Sequence, residues 1–79
     1  MAVRIEVGPN IRRYVEGCDD DGGLMIEDGA GKTVRALCRR AGIPADMMFS
    51  VLVNHRPADP TRVVRDGDTI QVLLVLGGG

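Results

Sequence analysis

The sequence predicts an α+β fold, a mixed sheet of four or five strands packed on one main helix. Three observations predict it: aliphatic residues alternate with polar ones in several short segments, one segment carries an apolar stripe of helical period, and the order is strand, strand, helix, strand, strand. The chain has 79 residues, 44% of them apolar, with one Phe, one Tyr, no Trp and a net charge of −1. A domain of this size buries only about 60% of its extended-chain surface, so no large enclosed substrate cavity and no elaborate active site are expected. Too few aromatic platforms and no basic excess argue against nucleic-acid binding. No stretch is as long and apolar as a membrane span, and no secretory leader is visible, so the expected location is the cytoplasm.

Val3, Ile5 and Val7 alternate with Arg4 and Glu6, which predicts a first strand from about Ala2 to Val7. Gly8-Pro9-Asn10 breaks it. Asn10 reads as the N-cap of a short helix ending at Gly17, in which Ile11, Tyr14 and Val15 share one side. Asp19, Asp20 and Asp21 then stand between glycines in an exposed loop; adjacent acids lack the alternating spacing of a calcium loop, so no metal is expected. Leu24 to Glu27 reads as a second strand, antiparallel to the first.

Gly31-Lys32-Thr33 copies the end of a phosphate-binding loop, but Ile26 stands where that motif needs its first glycine, and Thr33 reads instead as the N-cap of the main helix. Val34, Leu37, Cys38 and Ala41 form the apolar stripe of that helix, with Arg35, Arg39 and Arg40 toward solvent, and Gly42 and Pro44 end it. Cys18 and Cys38 are too few for a metal site and read as free thiols, Cys38 as a small hydrophobe of the stripe.

Phe49, Val51 and Val53 form a third strand whose even positions, Leu52 included, face away from the helix. Asn54-His55-Arg56-Pro57 reads as a turn, with His55 at its surface and no nucleophile beside it. Asp66-Gly67-Asp68 launches the last strand, in which Ile70, Val72 and Leu74 are core while Thr69, Gln71, Leu73 and Val75 face outward. That strand, apolar for most of its length, needs a central place beside the first. The arrangement is the β-grasp, expected over residues 1–76, with Gly77-Gly78-Gly79 as a flexible tail. Three glycines reach about 10 Å and carry no side chain, which suits entry into a narrow slot on another protein.

Val53-Asn54, Arg56-Pro57, Asp66-Gly67-Asp68 and the terminal glycines, supported by Thr33-Val34, Leu37 and Gly42-Ile43-Pro44, resemble the ubiquitin-like sulfur carriers of the MoaD/ThiS type. The resemblance covers nearly the whole chain. It implies a non-catalytic carrier whose terminal carboxylate, here that of Gly79, is adenylated by a ubiquitin-activating-type enzyme using ATP and magnesium. The product is then converted by a sulfur-transfer enzyme to a thiocarboxylate that donates sulfur. It also implies that Gly77 and Gly78 thread the partner's channel and that a larger synthase subunit is a further partner. The short helix after the first strand resembles the molybdopterin branch more than the thiamine branch. Val72 to Leu76 depart from the phenylalanine and prolines usual there, and His55 replaces a usual glycine. A protein modifier joined to lysines through the same Gly79 needs the same tail, and a β-grasp binding module without tail chemistry is the remaining alternative. Leu52, Leu73 and Val75, aliphatic and outward-facing beside the tail, are the expected docking patch.

Overall fold

Alternation decides which way every central strand faces. In β1 (Val3–Val7) the odd residues are buried and the even ones, Arg4 and Glu6, lie on the opposite side. The computed structural model describes residues 2–44 and 49–74; the tail glycines, Val75 and Leu76 lie outside them. The further elements are α1 (Pro9–Arg12), β2 (Gly23–Ile26), α2 (Val34–Ala41), β3 (Phe49–Val53), β4 (Arg56–Pro57) and β5 (Thr69–Leu74). They form one five-stranded sheet in the order β2-β1-β5-β3-β4. β1 and β5 run parallel at the centre, and the β1·β2, β3·β5 and β3·β4 pairs are antiparallel. This is the β-grasp, with the last strand beside the first as the sequence predicts.

The core is aliphatic. Val3 and Ile5 of β1, Ile70 and Val72 of β5, and Val51 and Val53 of β3 share one cluster with Val34, Leu37, Cys38 and Ala41 of α2. Each fully buried Ile or Leu contributes about 1.5–3 kcal/mol relative to exposure. Burial also pushes the Cys38 thiol up to about 11, so it stays protonated and packs as an apolar group. Both cysteines are free. The side chains of Phe49 and Leu74 lie outside the described set.

The first N–H groups of α2 are all accounted for. Ala36 N donates to Thr33 Oγ1 at 3.1 Å, while Val34 N and Arg35 N donate to the carbonyls of Arg62 and Pro60 at 2.9 and 2.8 Å. The helix end that resembles a phosphate loop in sequence therefore has its amides already bonded to the chain. Gly42 ends α2 at φ 100°, and a Cβ there would meet the Tyr14 carbonyl oxygen at 2.6 Å, so both backbone angle and space demand glycine.

Three expectations are corrected. The N-cap of α1 is Gly8, not Asn10, with no side-chain cap: Pro9 occupies the first turn, where its missing N–H costs nothing. The helix stops at Arg12 and not near Gly17, because Tyr14 N and Val15 N bond three residues back, to Ile11 and Arg12. The helical phase is thus lost beyond Arg12, leaving Tyr14 41% exposed while Ile11 and Val15 stay buried. Finally, Arg56-Pro57 is not all turn. Asn54 and His55 have φ of 52° and 68°, the positive pair of a two-residue hairpin, and Arg56-Pro57 is the short edge strand they lead into.

Candidate functional site

The sheet face turned away from α2 can be laid out from the registers. One row runs Met25, Arg4, Thr69, and the next runs Gly23, Glu6, Gln71, Leu52, Pro57. The last described row pairs Leu73 with Ser50, at the end where β5 runs out. Leu73 is 48% exposed and Leu52 is half-buried, while their neighbours Val72, Val51 and Val53 are buried on the other side. Both leucines thus occupy the outward face expected of them, on adjacent strands and within side-chain reach of each other across a diagonal. Val75, expected to extend this patch, and Gly77, Gly78 and Gly79, expected to carry and thread the reactive end, lie outside the described residues.

The middle of the same face is polar. Arg4 Nε donates to Glu6 Oε2 at 3.1 Å and Arg4 Nη1 to Asp19 Oδ2 at 3.3 Å, while Gln71 Nε2 reaches Glu6 Oε1 at 3.5 Å. The Glu6 contact, the largest influence, holds the Arg4 guanidinium above its ordinary value. Asp19 also accepts from the backbone N–H of Gly23 and Asp21, and the Gly23 bond, more than Arg4, keeps its carboxyl below the usual range. Sequence reading missed this network: alternation places Arg4, Glu6 and Gln71 on one face, but Asp19 arrives from a loop that carries no periodicity. The aspartate loop is thus a structural cap on β2, and among the described residues no group of three or more His, Cys, Asp or Glu is placed to hold a metal.

At the opposite end of β5 the most specific sequence motifs close a polar clamp. Asp68 accepts from Arg65 N at 2.8 Å and from Asn54 Nδ2 at 2.9 Å; Asn54 Oδ1 in turn accepts from Thr69 N at 3.0 Å. The Arg65 N–H, then Asn54, hold the Asp68 carboxyl below its ordinary range. His55 is exposed in the adjoining hairpin at φ 68°, which explains why glycine is the less strained residue there. No nucleophile is hydrogen-bonded to it among the described residues.

A five-stranded mixed sheet grasping one main helix, with exposed Leu73 beside half-buried Leu52 where the last strand ends, defines a ubiquitin-like β-grasp domain. The chain belongs to the ThiS family, whose model matches residues 15–79 and so takes in β5, the clamp and the three glycines. No curated protein matches it. Among solved structures it is similar to SAMP1 from Haloferax volcanii, with a TM-score of 0.69 at 15% identity, both chains covered in full. It is likewise similar to a chain from the complex of subunits 1 and 2 of molybdopterin-converting factor from Helicobacter pylori, with a TM-score of 0.62 at 21% identity and both chains again covered in full. Among the described residues no helix is long and apolar enough to cross a membrane.

Proposed function

We propose that this chain is a sulfur carrier acting through the terminal carboxylate of Gly79, in the molybdopterin branch of its family. The observation that carries the reading is the family match, which spans the glycines together with the strand that leads into them. A carboxylate is a poor electrophile until one oxygen becomes a leaving group. In the proposed reaction Gly79 attacks the α-phosphate of ATP, pyrophosphate leaves, and a sulfide equivalent then displaces AMP to give the thiocarboxylate. ATP and magnesium sit in the adenylating partner, of the ubiquitin-activating type, and a sulfur-transfer enzyme supplies the sulfide equivalent. The carrier contributes no catalytic group of its own: Gly77 and Gly78 thread the partner's channel, and Leu52, Leu73 and Val75 dock against its surface. The α1 insertion between β1 and β2 supports the molybdopterin branch, and the two-subunit complex of the Helicobacter pylori neighbour is the precedent for a larger synthase subunit as second partner. Such a carrier acts in the cytoplasm.

Mass spectrometry of the intact protein after incubation with its adenylating enzyme, ATP, magnesium and a sulfide source tests this directly. The expected result is exchange of one oxygen for sulfur, lost when Gly78 and Gly79 are deleted together while the melting temperature stays unchanged. An unchanged mass overturns the reading, and branched peptides on lysines of other proteins would replace it with protein conjugation.

A further inference from the structure

The two edges of the sheet are finished differently. β4 is two residues long and carries Pro57, a blunt edge that accepts no further strand. β2 (Gly-Leu-Met-Ile) has neither proline, lysine nor bulge. Its hydrogen bonds show which backbone groups remain free. Gly23 turns its N–H and C=O away from β1, to Asp19 Oδ1 and Asp19 N at 2.8 Å each. Because antiparallel pairing alternates, the N–H and C=O of Met25, two residues on, point out of the same edge, and among the described residues nothing bonds to them.

A groove runs beside this edge, between β2 and the last turn of α2, lined by Leu24, Met25, Ile26, Glu27, Asp28 and Arg40. Arg40 bonds Asp28 at 2.7 Å, an exposed ion pair that links the end of β2 to the helix at one side of the groove. Met25 is 50% exposed at its lip. The edge is bracketed by acids: Asp20 and Asp21 lie before β2 and Glu27 after it, all exposed and without an ion-pair partner among the described residues.

We infer that β2 accepts an extended segment of a partner protein, aliphatic at its centre and flanked by Lys or Arg, which adds as a further strand and lays alternate side chains in the groove. The acidic bracket selects this occupant over a second copy of the chain. Antiparallel pairing of two β2 strands would set Asp20 and Asp21 of one copy beside Glu27 of the other, like charges that oppose association. This surface lies at the opposite edge from β4 and is independent of the tail chemistry proposed above.

The test uses a synthetic peptide of consecutive valines and isoleucines flanked by lysines, titrated into the isotopically labelled full chain. Expected are NMR shifts centred on Met25, Glu27 and Arg40, with slowed amide exchange at Met25. Replacing the flanking lysines by glutamates should weaken binding about tenfold, the sum of a few screened ion pairs. Met25→Pro removes the outward N–H without touching the β1 ladder and should abolish binding with the spectrum of the core intact. If that variant does not fold, Glu27→Lys with Asp21→Lys serves instead and should also lower affinity. The inference is overturned if the shifts map to Leu52 and Leu73, if the glutamate peptide binds as well, or if the folded variants bind unchanged. Concentration-dependent dimerisation through Met25 would overturn it too.

Discussion

The two ends of β5 are built to opposite specifications. Where the strand begins, Asn54, Arg65 and Asp68 fix the backbone of Thr69 with short polar contacts. Where it ends, Leu73 lies half in solvent beside Ser50 and no comparable polar clamp is found among the described residues. The strand between them is parallel to β1, is covered by α2 on one side and has two of its inward residues, Ile70 and Val72, fully buried. Among the described residues the polar contacts that hold β5 are thus concentrated where it begins, away from the end at which the proposed carrier would offer its carboxylate.

The inward side of β5 tolerates substitution least. Val72 is fully buried one residue before exposed Leu73. Val72→Asp places a carboxylate in an aliphatic cluster with no partner, and is expected to cost about 3 kcal/mol or more, enough to leave a small domain largely unfolded. Chemical denaturation monitored by circular dichroism checks it.

The clamp gives the next largest effect. Asp68→Ala removes the acceptor of Arg65 N and Asn54 Nδ2, bonds close to solvent, and should cost about 1 kcal/mol. Because the folded Asp68 carboxyl titrates below its ordinary value, its contribution is present above the unfolded carboxylate range and is lost as pH falls through the folded value. The stability gap between wild type and Asp68→Ala should therefore narrow on acidification. A gap independent of pH would mean that the clamp works through backbone geometry alone.

How much of this was legible follows from where the signals are local. Alternation placed Val3, Ile5, Val7, Ile70 and Val72 inward because each strand's period is its own property, and Thr33 was readable as a cap because its partner is only three residues away. What stayed hidden depends on distant segments. Val64 is core at 1% exposure although it lies in no strand or helix of its own, since Gly31 and Lys32 bond its backbone from across the fold. Asn10 looked like a better cap than Gly8, but Gly8 N is already committed to the carbonyl of Val72, which sets the point where α1 can start. The acids of the β2 loop gave no periodic signal at all, and Gly23 reveals its role only beside Arg4, whose guanidinium fills the space a Cβ would take.

The outward side of β5 should tolerate substitution best. Leu73→Asp alters a side chain that is 48% exposed and faces away from the core cluster, so folding should change by about 0.5 kcal/mol or less. Its side chain shares the outward face with Leu52, and a contiguous aliphatic pair beside the end of β5 is where a partner enclosing the tail would press. The variant should therefore fold, melt near wild type and yet be adenylated more slowly, with the loss in kcat/KM of the activating enzyme for the carrier. Leu52→Asp, partly buried on the neighbouring strand, should repeat the effect with a larger cost in stability. If Leu73→Asp unfolds the domain, the outward face of β5 is packed and the contrast between its two ends disappears. If it folds and is adenylated at the wild-type rate, the contrast holds but the partner docks elsewhere, and a glycine terminus reached without the leucines would move the search to the exposed side of α1, which packs against the same end of β5.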